Sequence, residues 1–339
     1  MTLRFISIVM PALNEAPHIE RAIASLLPTS ADIEYEVLVL DGGSDDGTQD
    51  IVARLAQENP RIRLVPNPRK TQAAALNLAA RIADMRANVL LRADCHAEYP
   101  PGFASICALA LKDKASASVV VPMLTRGKTC MQKAIAAAQN SRLGNGGSKH
   151  RRGWTSGYVE HGHHAAFDRQ VFQDLGGYCE DMPANEDAEF DRRLTAAGHR
   201  IWLCGAATIT YFPRKTLTAL ARQYFAYGFG RASTCLRHGT TPRLRQIFPV
   251  IVLLGCVASV LLGALDPRLL APALGYLVLC LGWGLVLALR TKSACAILAG
   301  LAAITMHLSW GAGFLVRLFQ GRNLKAQRPS GSSGISRIT

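Results

Sequence analysis

The sequence predicts an α/β domain, a mostly parallel sheet with helices on both faces, followed by C-terminal transmembrane helices. Three observations carry this. Strand-like and helix-like stretches alternate through the first hundred residues, the pattern of parallel strands joined by helical crossovers. Residues 247–316 form three long apolar runs nearly free of charge. Residues 214–237, between these parts, are basic and aromatic. Apolar residues make up 49% of the 339 and charged residues 18%. That average hides a sharp shift, because residues 1–245 read as an ordinary soluble mixture.

The elements follow in order. RFISIVM (4–10) is a short apolar strand, and PHIERAIASLL (17–27) has helical periodicity, with Pro17 suited to the first helical position. EYEVLVL (34–40) is a second strand. TQDIVARLAQE (48–58) is a helix with Thr48 as N-cap and Asp50 in its first turn. RIRLV (61–65) is a third strand, TQAAALNLAARIA (71–83) a third helix and NVLLR (88–92) a fourth strand. Residues 101–111 read as helix and 116–122 as strand. Residues 126–154 contain GNGGSKHRRGW, Gly-rich and basic, and read as a mobile loop. Mixed structure resumes at 157–212, and no solenoid-type repeat is visible.

The domain division is therefore a catalytic module over 1–213, a basic and aromatic interfacial connector over 214–246, a membrane domain over 247–318, and a basic, flexible tail over 319–339. The runs Ile247–Leu265, Leu269–Leu289 and Ala294–Val316 each approach or exceed the roughly 20 residues needed to span a bilayer. Arg237, Arg243 and Arg245 place the N-terminal module in the cytoplasm by the positive-inside rule, and Arg290 and Lys292 return the second connection to that side. A third full crossing would export Arg322, Lys325 and Arg328, against the rule. Three spans is the expectation; a re-entrant or interfacial last segment, which His307 and Arg317 would suit, is the alternative.

Net charge is +14, which suggests a polyanionic partner; beside a membrane module this favours anionic lipid or a phosphorylated substrate over nucleic acid. Nine cysteines occur, at 95, 107, 130, 179, 204, 235, 256, 280 and 295, with no CxxC spacing and hence no zinc motif. An odd, scattered set with three members inside apolar runs argues against a disulfide framework and predicts a reduced, cytosolic catalytic module. MTLRFISIVMPALNE lacks a signal-peptide core of adequate length. Few ionisable groups lie within the spans and no repeat relates them, which disfavours a transporter.

Ligands of such sheets bind beyond the carboxyl ends of the strands, which singles out the loops 11–16, 41–47, 66–70 and 93–98. The first, PALNEA, offers Pro11, Asn14 and Glu15. The second, DGGSDDGT, combines turn glycines with Asp41, Asp45 and Asp46. Those acids would repel a phosphate. They either accept from a base N–H or ribose hydroxyl, or form an acidic surface turn. The third sets Arg69 and Lys70 before a helix N-terminus, as a diphosphate site or a solvated basic turn.

The fourth loop supplies Asp94 and His96. One carboxylate plus diphosphate oxygens suffices for Mg²⁺ or Mn²⁺; His96 is a second ligand or a packed histidine. In ANEDAEFDRRLTAAG, Glu186, Asp187 and Glu189 fall at a helix start with Asn185 as cap. The helix dipole stabilises acids there, and a carboxylate can also serve as general base on a hydroxyl. Gln223, Tyr227 and Arg231 stand at spacing four, on one face if the helix runs through Gly228 and Gly230. Their mixture of aromatic and basic groups suits a membrane interface as well as direct substrate contact.

The order of these segments resembles the family 2 glycosyltransferases, the inverting GT-A enzymes that use nucleotide sugars. VMPALNEAPHIERAIASLL looks like the family's opening P-x-x-N-E segment, VLVLDGGSDDGTQDIV like its D-x-x-S-x-D-G-T signature, RKTQAAALNLAA like the segment before the metal motif, and AAFDRQVFQDLGGY with NEDAEFDRRLTAAG like the E-D motif and its approach. The resemblance covers roughly residues 5–235. RADCHAEYP, GHHAAFDRQVFQDLGGY and QYFAYGFGRA are similar to the succinoglycan-biosynthesis, ExoA-like subgroup, membrane-attached sugar transferases of bacterial exopolysaccharide assembly.

The resemblance implies roles. Pro11, Asn14, Glu15 and Asp41 would line the nucleotide, and Lys70 or Arg69 would approach the diphosphate. Arg92, Ala93 and Asp94 match the D-x-D region, with Asp94 as its last acid and His96 as a further metal-ligand candidate. Asp187 matches the general base; His163, Glu186, Gln223 and Arg231 are candidates for the acceptor or a diphosphate, as are the basic residues Lys149, Arg151 and Arg152.

Two departures stand out. Arg92 occupies the position of the first D-x-D acid. The Q-x-x-R-W of processive synthases corresponds to Gln223–Tyr227 without its Arg and Trp, which favours single-sugar addition, with Arg231 as a replacement cation. The implied activity is transfer of one hexose, glucose being the expectation, from a UDP-sugar to a polyprenyl-diphosphate-linked saccharide. It would use a divalent cation (Mn²⁺ or Mg²⁺) at the cytoplasmic side of the bacterial inner membrane, alongside other polysaccharide-assembly proteins. The alternatives are a polyprenyl-phosphate sugar synthase of the same fold and a non-catalytic membrane scaffold.

Overall fold

The computed structural model describes residues 5–28, 33–146, 155–182 and 184–321. Lys149, Arg151, Arg152 and the tail cations Arg322, Lys325 and Arg328 lie outside the described residues. The first half alternates as the periodicity predicts: β1 (Phe5–Ala12), α1 (Ile19–Leu26), β2 (Glu34–Asp41), α2 (Thr48–Glu58), β3 (Ile62–Pro66), α3 (Gln72–Ile82), β4 (Val89–Arg92) and a two-residue β5 (Ala97–Glu98). Then come α4 (Phe103–Asp113), β6 (Ser118–Val121), β7 (Met123–Thr125), α5 (Cys130–Asn140), a short α6 (Arg142–Asn145), β8 (Gly157–Val159), β9 (His163–Asp168), α7 (Arg169–Asp174), α8 (Glu186–Ala196), β10 (Ile201–Leu203) and β11 (Ile209–Tyr211).

The main sheet has the order β3-β2-β1-β4-β9-β6-β10-β8. β1, β2, β3 and β4 pair in parallel, whereas β9 runs antiparallel between β4 and β6. Alternate side chains of β1 feed two cores: Ile6, Ile8 and Met10 face the layer that includes α1 and α4, and Val9 faces α3 and the aromatics Phe167, Phe172 and Phe190. Burial on both faces explains why the strands are continuously apolar. β5, β11 and β7 form a small second sheet.

Two local expectations are corrected. Thr48 is not the N-cap of α2; Gly47, at φ 93°, takes that place. The Thr48 hydroxyl instead accepts from the Glu15 N–H and donates to Asp46. Pro17 does not open α1, because the Glu15 carbonyl accepts from both His18 and Ile19 N–H and forms a turn ahead of the helix.

The chain continues through α9 (Leu217–His238), α10 (Leu244–Gly263), α11 (Ala271–Thr291) and α12 (Ala299–Phe319). The last three, with their short 3₁₀ lead-ins, are long and apolar enough to cross a membrane. They differ in coverage: α10 buries 6% of its apolar stretch within the protein and α12 buries 44%. α12 lies against α9 at glycine distance. A Cβ on Gly228 would fall 1.9 Å from the Trp310 carbonyl oxygen, and one on Gly313 would fall 2.0 Å from that of Phe225, so the two backbones meet as small-residue helix pairs do. Ala302 and Met306 of α12 pack with Ile135 and Ala138 of α5 and Leu220 of α9, the His307 Nε2–H donates to the Leu143 carbonyl, and the Arg317 Nε–H donates to the Ser233 hydroxyl.

The cysteine expectation is also corrected: Cys130, the first residue of α5, is bonded to Cys295, with Cα atoms 5.2 Å apart. The pair is 165 residues apart in sequence, and only the packing of α5 on the 3₁₀ turn before α12 brings the two sulfurs together. The disulfide ties the globular module to the membrane module.

Glu189 fastens α8 to its surroundings. It is fully buried and accepts from Arg193 at 2.7 Å and His238 at 3.0 Å, and Arg193 also donates to the Leu175 and Gly177 carbonyls. Burial raises the carboxyl pKa, but hydrogen bonds from His238 and Arg193 outweigh it and bring it to about 2. A depressed carboxylate stabilises the fold above its unfolded pKa and loses that contribution as pH falls. Thermal melting in detergent should therefore show a Glu189-dependent loss between about pH 4.5 and 2. Glu189→Ala should cost about 3 kcal/mol at neutral pH; a melting curve within a degree of wild type would refute this assignment.

Candidate active site

The loops after β1 and β2 are stitched into one wall. Asp41 accepts from the Gly43 and Ser44 N–H groups at 2.8 and 3.0 Å, from the Ser44 hydroxyl at 2.5 Å and from Gln49 at 2.8 Å. Asn14, in a left-handed conformation, accepts from the Asp45 N–H, and Ala16 N–H donates to Asp46. Asp41 and Asp46 thus spend hydrogen-bonding capacity on loop shape. Asp41 is buried and lines a smaller recess with Gly43 and Lys70.

One large cavity, about 730 Å³, opens beside this wall. Pro11, Glu15, Lys70, Gln72, Arg92, Asp94 and His96 line one end; His161, His163, Glu186, Asp187, Gln223, Tyr227 and Arg231 line the middle. The structure separates the two cations left open above. Lys70 faces the cavity, whereas Arg69 is held by Glu180 outside it. Ala93 is buried below the surface, its N–H donating to the Val9 carbonyl.

Asp94 ends the parallel strand. Its Oδ1 accepts from Gln72 Nε2 at 2.9 Å, and its Oδ2 lies 3.7 Å from His163 Nε2. His96 turns instead to Glu15, 3.1 Å away, and that hydrogen bond raises its pKa. Among the described residues no three His, Cys, Asp or Glu side chains are gathered closely enough to hold a metal alone. The Asp94 carboxylate, with the His163 imidazole beside it, fits a cation that takes its remaining ligands from a substrate's phosphates.

Arg92 answers why an acid is missing two residues before Asp94. It is buried, with its Nε 3.6 Å from Asp94 Oδ1. Burial disfavours its charge, but Asp94, Tyr178, Glu186 and Asp187 raise its pKa above the ordinary value. The cation balances carboxylates from two different elements. For Asp187, burial raises the carboxyl and the fields of His161, His164 and Arg92 lower it further; Glu186 beside it is raised by burial and by Asp187. The two environments push the pair apart, Asp187 downward and Glu186 upward.

The start of α8 is set by α9. Asn185 occupies the N-cap position but does not cap; its side-chain N–H donates to the Tyr227 carbonyl at 2.6 Å. A Cβ on Gly230 would fall 2.2 Å from the Ala184 carbonyl oxygen, so only glycine lets α9 approach the turn that carries Asp187. α9 runs unbroken through both glycines, and Gln223, Tyr227 and Arg231 share its cavity face, with Gln223 donating to Tyr227 at 2.9 Å.

A buried chain behind the cavity was missed in the sequence. His161 Nδ1 meets Asp191 Oδ2 at 2.7 Å, Asp191 Oδ1 meets His164 Nε2 at 2.7 Å, His164 Nδ1 meets the Tyr178 hydroxyl at 2.5 Å, and Arg92 donates to that hydroxyl at 3.4 Å. The available signal was Asp191, four residues after Asp187 and so on the same helical face, with two histidines at spacing three.

Comparison with known proteins agrees with this architecture. The glycosyl transferase family 2 model matches residues 7–176. The chain is 42% identical over 322 residues to the succinoglycan biosynthesis protein ExoA of Rhizobium meliloti (strain 1021), covering 93% of this chain and 95% of that protein. The mannosyltransferase PcManGT from Pyrobaculum calidifontis, solved in complex with GDP-Man and Mn²⁺, superposes with a TM-score of 0.57 at 22% identity, covering 93% of this chain and 87% of its own. That likeness speaks to the GT-A fold alone. With the family model spanning half the chain and an ExoA-like relative spanning nearly all of it, the protein belongs to glycosyltransferase family 2 and is a glycosyltransferase.

Proposed function

We propose that the enzyme transfers a single hexose, glucose in the first instance, from a UDP-sugar to a polyprenyl-diphosphate-linked saccharide in exopolysaccharide assembly, with inversion at the anomeric carbon. The observation that carries this reading is the continuity of the cavity. Residues of the strand-end loops, Asp187, and residues of α10 and α12 all line it. A donor entering at one end and a lipid-borne acceptor at the other would meet beside one ionised carboxylate.

In this reading Pro11, Glu15 and Lys70 line the donor, and the Asn14 and Asp41 loops hold that wall in shape. Asp94, with His163 nearby, would hold a divalent cation, which supplies charge neutralisation to a departing diphosphate. Asp187 accepts the proton of the acceptor hydroxyl as its oxygen bonds to the anomeric carbon. The bond from that carbon to the diphosphate oxygen breaks on the opposite face, and its electron pair leaves with the nucleoside diphosphate. Burial raises the carboxyls of Asp187 and Asp94, and Arg92 helps to lower them. The complex of PcManGT with GDP-Man and Mn²⁺ supports the cation.

The module lies on the cytoplasmic side, and α12 runs in the membrane plane. The support is that Ala302, Met306, His307 and Arg317 engage α5, α6 and α9 of the module, while Gly300 and Gly311 meet α11 and α10. Two crossings, α10 and α11, return Arg290 and Lys292 to the module's side, as the positive-inside rule requires.

Asp187→Asn should lower turnover at least about a thousandfold, the scale of losing a positioned base in such a site, with donor affinity retained; near-wild-type turnover removes Asp187 from the role. Retained activity on a polyprenyl phosphate, already ionised, would point to the sugar-phosphate synthase reading instead. EDTA should abolish transfer and Mn²⁺ or Mg²⁺ restore it, read as labelled product; transfer indifferent to chelator contradicts the cation assignment. A fluorescent reporter fused at the C-terminus should be active in the cytoplasm; a reporter active only outside would restore three crossings.

A further inference from the structure

We propose that Arg231 and Arg245 form a seat for the acceptor's lipid-borne diphosphate, with the hydrocarbon leaving along an apolar groove beside Phe248 on the exposed side of α10. This rests on the glycosyl-transfer reading and names the groups that hold its acceptor. Arg231 is half-buried on the cavity face of α9, one turn beyond Tyr227, and Arg245 is the second residue of α10; both line the same cavity. Among the described residues neither has an ion-pair partner, and Arg243, two residues before Arg245, is taken by Glu160. Asp187 and Asp191 favour the Arg231 charge through space without touching it, while burial disfavours it.

Two cations facing one cavity without carboxylate partners suit an incoming anion, and guanidinium forks match phosphate oxygens in bidentate fashion. Beyond them the lining turns apolar: Phe248 and Pro249 from α10, Met306 and Trp310 from α12. Phe248 is exposed, and α10 is almost uncovered by the rest of the protein. A nucleotide or inorganic phosphate would satisfy only the arginines, and a neutral glycolipid only the groove. An amphiphile with a diphosphate head satisfies both. Lys70 already serves the donor end, beyond Asp187 from this seat.

The test uses the full chain in nanodiscs with one saccharide carried three ways: on polyprenyl diphosphate, on an uncharged polyprenyl ether and on a short-chain diphosphate. Arg231→Gln and Arg245→Gln should each raise KM for the polyprenyl-diphosphate acceptor about tenfold or more, while UDP-sugar KM stays within about twofold and reports intact folding. Phe248→Asp should raise KM for the long-chain diphosphate acceptor and spare the short-chain one. A rise in donor KM instead, or equal losses on charged and uncharged acceptors, overturns the seat. Wild-type enzyme that glycosylates none of the three acceptors overturns the functional reading and the seat with it, whereas wild-type transfer with unchanged head-group preference in the arginine variants overturns the seat alone.

Discussion

The site depends on one buried cation. Arg92 stands at the end of β4 within the fields of Asp94, Glu186, Asp187 and Tyr178. Carboxylates from a strand end and a helix start cannot share a low-dielectric cavity in ionised form without compensation. A second acid at position 92 would add to that repulsion, and a metal would have to absorb it all. The arginine supplies a permanent counter-charge that lowers the carboxyl of Asp94 and, together with His161 and His164, that of Asp187. It also reaches, through the Tyr178 hydroxyl, a hydrogen-bonded line that runs through His164 and Asp191 to His161. The chemistry at α8 and the strand end at β4 are in this way one electrostatic unit.

A second constraint is backbone contact through glycine. Gly230 lets α9 touch the turn before α8, and Gly228 with Gly313 lets α9 touch α12. α9 is therefore clamped between the catalytic turn and the membrane module. Its cavity face carries Gln223, Tyr227 and Arg231, so movement of the membrane helices would be felt in the cavity. The Cys130–Cys295 link and the His307 contact to Leu143 join the same two modules at other points.

Much of the catalytic module was legible in advance. The strands of the parallel sheet are apolar on both faces, so their runs stand out, and the helices between them show clear periodicity. Asp94, Asp187 and Lys70 fall at strand and helix ends, where side chains must face a cleft. The motif residues were harder. The acids of DGGSDDGT look like ligands in a string of letters, yet Asp41 and Asp46 bond mainly to their own loop and to the loop after β1. Thr48 and Asn185 look like caps, but each has a long-range partner, Glu15 and Tyr227, that outcompetes the local bond. Capping propensity is a local preference, and tertiary partners override it.

The sequence by itself determined the class of protein: an α/β sugar-transferase module with an apolar C-terminal part, because hydrophobic period and run length are properties of the chain alone. It also determined which loops could react. Only the tertiary structure decided which cation faces the cavity and which is tied to Glu180. It alone joined Cys130 to Cys295, found Asp191 between two histidines, and laid α12 along α9. Each of these is a contact between segments far apart in the chain. Such contacts depend on the distance of closest approach between backbones, and no local pattern of residues encodes that distance.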